Sequence, residues 1–551
     1  MAVLTVDANR FNPAAAESAE RQRVSVARQI IPNARPAQPD NGDFAAHGDK
    51  RGTFTKGLKH DLITGRVDAA AFAAFAAALG QPRDLVFAAI ETLTPHVGAG
   101  MATRKWVNPV AGRAYSVVAG DPQQYVMPPA PSFGSDELSF EMIENYWMAL
   151  LRDVPFSQYE TSALAVQAAA ELTTFRNAAI AERAAGGLPA ETLAPVDSAS
   201  NVTPNLLFRG LSVGDDTGPY LSQFLMHPVP FGVQGFHQRN KTLRAGQDFM
   251  TQWPEWMVVQ NGAPRDFVSS HFDDELHYLR NGRDLSQWVH IDVLFQGYFN
   301  ACLILLQGAG VPSSVGGGIG ARRSIINPYE TAQHQQGFGT LGDPAHIGMM
   351  CEVAALALKA VWFQKWFVHL RMRPEVYAAR IDYERRAPGL FNLPAALLGS
   401  QAVATTLGQY SSALLPMAFP EGSPMHPAYG AGHATVAGAC VTILKTLFKG
   451  DESFPNPVDV LVDSSGHEHF VPYGGIVTIE GELNKLASNI AIGRNIAGVH
   501  WRSDGTYSLR LGEEVAISLL EAYAKSYPEF SLGATVFQFN RFDGTTHTVT
   551  A

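Results

Sequence analysis

The chain is poor in charge and in cysteine, and it has no long uninterrupted apolar run. Only 17% of its 551 residues are charged, and the balance is a net −10, so no broad basic surface is available for nucleic acid. Three cysteines, Cys302, Cys351 and Cys440, are too few and too scattered for a disulfide framework or a thiolate metal site. No window reaches 18 uncharged apolar residues. Even "HIGMMCEVAALALKAVWFQKW" is broken by Glu352 and Lys359, which argues against a membrane span. The opening "MAVLTVDANRFNPAAAESAERQ" has no basic segment followed by an apolar one. No secretory signal is visible, and a soluble, cytoplasmic protein is expected. What the chain does have is 46% apolar residues, ample for a folded core.

Periodicity gives a mainly α fold with minor β. Residues 1–60, rich in Pro, Asn, Asp and Gly, read as a wrapping arm. Residues 61–200 read as an N-terminal helical region and 201–551 as the region carrying the motifs below, the two joined into one compact unit or separate. Helix-forming composition with long apolar faces marks 68–80, 135–153 and 159–185, and 186–205 is a loop-rich joint. Further helices are expected near 285–307, 345–370, 432–448, 482–493 and 506–526. Near the end, "VFQFNRFDGTTHTVT" alternates on either side of Asp543-Gly544, the pattern of a β-hairpin.

Three stretches carry chemistry. In "KWFVHLRMRP", Lys365 and Arg373 stand eight apart, about two turns if one helix persists, and Pro374 marks a helix end. The plain reading is a solvated basic face. In "HPAYGAGHAT", Gly430 and Gly432 permit close backbone approach at the start of a helix, where free amides and the positive helix end favour an anion. His433 would then exchange protons with that anion, with His426 nearby as modulator; the alternative is a core histidine and an ordinary turn. In "GRNIAGVHWRSDG", Arg494 and His500 are six apart, and Asp504 follows His500 by four. Asp504 either caps a helix beginning near Gly505 or orients His500. A guanidinium offers a planar fork suited to oxyanions.

Taken in order, Lys-x7-Arg-Pro, Gly-His and Arg-x5-His-x3-Asp resemble the signature shared by vanadium-dependent haloperoxidases and the related acid phosphatases of the type 2 phosphatidic acid phosphatase superfamily. Segments such as "GDDTGPYLSQFLMHPVPFGVQGFHQR", "NPYETAQHQQGFGTLGDPAHIGMM", "EGELNKLASNIAIGRN" and "FNRFDGTTHTV" extend the likeness to red-algal and cyanobacterial bromoperoxidases over nearly the whole chain. The resemblance implies two helical bundles around a vanadate site, within residues 201–551. It implies His500 as the vanadium ligand, Lys365, Arg373, Arg494 and the Gly432 amide on the vanadate oxygens, and His433 as the acid–base group that takes a proton from hydrogen peroxide. Lys365 would also polarise the peroxide. His426 stands where the bromoperoxidase branch carries a second histidine, which favours bromide and iodide over chloride. Hypohalous acid would then halogenate a small organic acceptor. A structural calcium ion and a homo-oligomer, up to a dodecamer, are also implied.

One departure matters: the usual Ser-Gly-His reads Ala431-Gly432-His433 here, removing a hydroxyl from the anion site. Other polar residues take plain readings. His369 and Arg371 are expected to face elsewhere on their helix, Gln364 to shape halide access, and "HEHF" at 467–470 to be a surface loop. "GDD" at 214–216 and the acids at 272–275 are read as solvated loops, with a hard cation as the alternative. Two rival functions follow from the same residues: an acid phosphatase with His500 as nucleophile, and a non-enzymatic oligomeric shell or binding protein.

Overall fold

The structure is a computed structural model that describes residues 13–30, 35–93, 103–187, 193–308, 315 and 318–551. Parts of the expected arm (1–12 and 31–34) and of the expected joint (188–192) lie outside the described residues. Helices dominate. In chain order the longer ones are α1 (Pro13–Ile30), α2 (Ala69–Leu79), α3 (Asp136–Leu150), α4 (Ala163–Ala185), α5 (Gly282–Ile291), α6 (Gln296–Leu306), α7 (Asp343–Phe363), α8 (Pro374–Arg386), α9 (Gly432–Leu447), α10 (Ile479–Ile496) and α11 (Arg502–Ala524). Several begin at side-chain caps that satisfy free amides: Asp68, Ser135, Ser162 and Thr478 accept from Ala71, Leu138, Ala165 and Gly481.

The β structure consists of antiparallel two-stranded pairs: β1 (Val229–Phe231) with β2 (Gln234–Phe236), β3 (Asn240–Leu243) with β4 (Phe272–His277), β5 (Val458–Val462) with β6 (Glu468–Pro472), and β7 (Thr535–Asn540) with β8 (Thr546–Thr550). The last is the hairpin expected around Asp543-Gly544, with Phe537 opposite Val549.

Helices α7, α9, α10 and α11 form one bundle, and α3 packs with α4 and the helix Gln401–Tyr410 in a second group. The buried core runs continuously through both. Helix α9 approaches α11 closely at Gly438 and Gly512. A Cβ at either glycine would collide with backbone of the partner helix, at Leu509 and Thr435 respectively.

Several expectations change in detail. The arm contains a full helix, α1, whose Ala, Glu, Gln and Arg content favours it. The single helix expected over 285–307 is two, bent by 96° between Ile291 and Gln296. The segment interrupted by Glu352 and Lys359 is, by length and composition, a helix apolar enough to cross a bilayer, and more than half of its most apolar window is buried inside the protein.

Candidate anion site

Lys365 and Arg373 do not share a helix. After α7 the backbone widens into a π-helical turn, Gln364–His369, and Leu370 adopts φ 43°, which stops it. Pro374 then opens α8 at its first position, where its missing N–H is harmless, so it starts a helix and ends none. Arg373 lies in the extended residue before it. This break turns both cations toward the same place: Lys365 Nζ donates to the carbonyls of Pro427 (2.8 Å) and Ala428 (3.1 Å), and Arg373 to the His426 carbonyl (2.7 and 2.9 Å).

The other two stretches meet them there. Arg373 also donates to His426 Nδ1 (3.0 Å) and to His500 Nε2 (2.9 Å). Arg494, in the last turn of α10, donates to the Val289 carbonyl (2.6 Å). Gly498, at φ 84°, reverses the chain after that helix and brings His500 back beside Arg494's bundle. Gly432 is the first residue of α9, so its N–H has no intrahelical acceptor and belongs to the positive end of the helix. A Cβ on Gly432 would stand 3.1 Å from the Trp362 ring, which explains the glycine. A cavity of about 290 Å³ opens onto these groups, lined by Trp362, His426, Gly432, His433, Arg494 and His500 among others.

The electrostatics ask for an anion. Lys365 and Arg373 are fully buried and Arg494 is 4% exposed, yet among the described residues none of the three forms an ion pair with a carboxylate. Arg494 Nε is buried without any hydrogen-bond partner among those residues. Burial drives the Lys365 amine well below its ordinary value, with Arg373 adding to the effect. It pushes Arg373 down to about 9 and Arg494 down to about 10. Uncompensated buried charge is strongly unfavourable, and a multiply charged oxyanion reverses every one of these penalties.

Two carboxylates set the histidines. Arginine only donates, so His500 Nε2 accepts from Arg373, and Nδ1 carries the proton donated to Asp504 Oδ2 at 2.8 Å. That tautomer puts the lone pair on Nε2, the nitrogen a metal would take, and here it is engaged by the Arg373 guanidinium. Burial, then Arg373 and Lys365, hold His500 well below its ordinary value and therefore neutral. Asp504 thus orients His500, and the alternative of a cap on a helix beginning near Gly505 is corrected: α11 starts at Arg502, so Asp504 sits in its first turn and accepts from Trp501 N (3.1 Å). His433 donates from Nε2 to Asp292 Oδ1 at 2.9 Å. Burial lowers its pKa while Asp292 opposes the shift. His426 is lowered further by burial and by Lys365 and Arg373.

All of Lys365, Arg373, His426, Gly432, His433, Arg494, His500 and Asp504 thus converge. Ala431 is different: its N–H is taken by Ser508 Oγ at 2.8 Å, so that amide is directed at a side chain and away from the anion. Asp292 is a residue that motif spacing could not find, because it becomes adjacent to His433 only through the bend after α5. Arg371 is no bystander. It bonds Asp504 (2.8 Å), Ser503 (2.9 Å) and Glu141 of α3 (2.7 Å), and although burial works against its charge, the two carboxylates hold its pKa above the ordinary value. It therefore locks the carboxylate that orients His500. His369 is half-buried, lowered by desolvation to about 3, and bonds Gln364 Oε1 at 3.1 Å. Gln364 in turn bonds Gln38 and the Tyr125 carbonyl, turned toward the N-terminal segment.

The remaining plain readings are corrected. Residues 467–470 are not a simple loop: Glu468 begins β6 and bonds His277 at 2.9 Å. Asp215 of the "GDD" segment is buried, accepting from Ser212 N and Ser488 Oγ, and burial pushes its carboxyl up to about 7. Residues 272–275 lie in β4. Among the described residues no group of three or more His, Cys, Asp or Glu side chains gathers to hold a metal ion.

A family model described as the VCPO second helical-bundle domain matches residues 349–528, the stretch holding nearly all of the cradle. The vanadium-dependent bromoperoxidase of Corallina pilulifera is 35% identical, over 93% of this chain and 92% of that protein. The vanadium-dependent bromoperoxidase of Ascophyllum nodosum is 32% identical, over 96% of this chain and 91% of that protein. The solved homohexameric structure of a second vanadate-dependent bromoperoxidase from Ascophyllum nodosum superimposes with a TM-score of 0.86 at 29% identity, covering 98% of this chain and 91% of that one. With a matching fold over almost its full length, the chain belongs to the vanadium-dependent haloperoxidases, in their bromoperoxidase branch.

Proposed function

We propose that the cradle holds vanadate and that the protein oxidises bromide or iodide with hydrogen peroxide, releasing hypohalous acid to halogenate organic acceptors. The observation that carries this reading is the convergence of Lys365, Arg373 and Arg494, buried without carboxylate ion pairs among the described residues, with a neutral His500 whose Nε2 carries the lone pair. The donor set fits the group: three cations and a helix-start amide for oxygens, one neutral imidazole for the metal, and an orphaned Arg494 Nε for one further oxygen. Bound vanadate supplies a Lewis acid that activates peroxide toward halide without needing haem or flavin.

The chain's own residues do the rest. Asp504, braced by Arg371, fixes the His500 ring. Asp292 occupies His433 Nε2, which leaves Nδ1 to take protons from hydrogen peroxide and return them. His426, at the same cavity, sits 4.9 Å from the Trp362 ring and accepts from Arg373, tying the halide-facing wall to the cradle. The protein is further proposed to act as a homo-oligomer, its Ascophyllum nodosum relative being homohexameric. A dodecamer is the larger closed form of that proposal, and a structural calcium ion remains part of the family expectation.

The test is bromination of a dye by the metal-free protein supplied with vanadate, peroxide and bromide. Vanadate-dependent bromination is expected. Cleavage of a phosphate ester that vanadate inhibits, without bromination, would replace this reading with a phosphatase. Neither activity would leave a shell or binding protein.

A further inference from the structure

Helix α5 ends against the cradle and contributes to it three times. Val289 offers its carbonyl to Arg494, Asp292 holds His433, and between them His290 lines the same cavity beside Glu421. His290 Nε2 stands 2.7 Å from Glu421 Oε1, and a carboxylate accepts, so Nε2 carries the hydrogen. The other ring nitrogen, Nδ1, is buried and has no hydrogen-bond partner among the described residues. Leaving a buried polar atom unpaired is unfavourable, and it calls for a reason. The ring is also held rigidly. It stacks on Phe419 with centroids 3.9 Å apart and planes 19° apart, and meets the Phe267 ring at 5.5 Å. The Arg494 guanidinium lies 5.7 Å from the centroid of that same Phe419, so His290 and a cation of the cradle share one aromatic ring.

Unlike Lys365 and Arg373, the pair reaches solvent: the His290 and Glu421 side chains are 22% and 17% exposed. The neighbouring cations are already engaged. Arg104 donates to the carbonyls of Glu421 (2.8 Å) and Ser423 (3.3 Å), and Lys56 bonds the Glu375 carboxylate (2.8 Å). Glu421 is therefore the carboxylate that His290 has to itself within hydrogen-bond reach.

We propose that His290, held by Glu421, is a second proton-transfer group of this site and hands over the proton that leaves with the oxidised halogen. The inference rests on the peroxidase reading. One halide, one hydrogen peroxide and one proton give one hypohalous acid and one water. The peroxide O–O bond breaks, the halide loses two electrons and gains the oxygen, and the other oxygen leaves as water. Peroxide brings only two of the three protons in the products, so one must come from a donor. His433, committed to Asp292 through Nε2, handles the peroxide protons. His290 supplies the third from Nδ1, while Glu421, whose side chain reaches solvent, balances its charge and passes the replacement proton to the ring.

The test compares the full-length, vanadate-loaded protein with its His290→Gln and Glu421→Gln variants. Glutamine keeps polar contact with Glu421 but cannot carry the proton through. Expected for His290→Gln are unchanged vanadate affinity by calorimetry, unchanged KM for peroxide, a kcat for bromide lower by about 100-fold, and a larger solvent deuterium isotope effect. Glu421→Gln should show the same pattern more weakly. An unchanged kcat overturns the inference, and so does a lower kcat with no change in isotope effect or with weakened vanadate binding. A parent protein that binds no vanadate and brominates nothing overturns the peroxidase reading itself.

Discussion

A carboxylate 2.9 Å from His433 Nε2 decides which nitrogen of that ring can work as a base. Removing it in Asp292→Ala leaves the ring in place but frees its tautomer, and a positioning partner of this kind is typically worth about 10- to 100-fold in activity. Because Asp292 also opposes the downward pKa shift of His433, its loss should move the His433 limb of the kcat/KM pH profile to lower pH. A pH profile identical to the parent's would refute that role. At Ala431 the change runs the other way. In Ala431→Ser, the new hydroxyl at the N-cap of α9 can accept from the helix start and donate toward the anion. A hydrogen bond to a charged partner contributes roughly 1.5–3 kcal/mol, so vanadate should bind about one to two decades more tightly, as read by titration calorimetry. Unchanged or weaker binding would count against the hydroxyl's role. The residues of the three motifs were legible in the sequence because each is fixed by local spacing. Asp292, Arg371 and Glu141 were not, since nothing in their own neighbourhoods distinguishes them from ordinary surface charges.

Helices set the distances between those residues, and two features of the bundle are open to test. Gly438 lets α9 approach α11 so closely that any Cβ would strike the Leu509 carbonyl, a backbone atom that cannot swing away. Gly438→Ala should therefore cost about 1–3 kcal/mol or more in denaturant unfolding. It should also weaken vanadate binding, because α9 starts at Gly432 and α11 follows His500. In the first turns of α7, His346 is buried with neither ring nitrogen hydrogen-bonded among the described residues, and burial, helped by Arg323, lowers its pKa to about 4. The unfolded value is near 6.5, so the folded state disfavours the imidazolium. The stability contribution is full above about 6.5 and is lost as pH falls toward 4. His346→Leu removes that loss. Its stability advantage over the parent should be larger at pH 4.5 than at pH 7.5, and an advantage independent of pH would exclude the effect. The helix positions themselves follow the apolar periodicity well. The π-turn at Gln364–His369 and the bend after Ile291 do not, since each interrupts the regular helical period that such a reading follows.

At the scale of the whole molecule, one continuous core holds the bundle of α7, α9, α10 and α11 against α3 and α4. That contact is functional as well as structural: Glu141 of α3 grips Arg371, which grips Asp504, which orients His500. The N-terminal half of the chain thereby reaches His500 through two ion pairs and one hydrogen bond. The relative with the matching fold is homohexameric, and the proposal for this protein is a homo-oligomer. Light scattering should give a mass that is a multiple of 59.5 kDa, and a particle of 59.5 kDa alone would defeat the expectation.

By itself the sequence determined the mainly helical class, the hairpin at the end of the chain and which residues are proposed as anion-binding groups, since periodicity and motif spacing are local properties of a polymer. Only the tertiary structure decided that Lys365 and Arg373 sit on either side of a helix break, that Asp292 and Arg371 serve the two histidines, and that His290 joins the cavity. Those relations depend on how distant segments are brought side by side, and burial then gives a charge or a ring nitrogen a meaning it does not have along the chain.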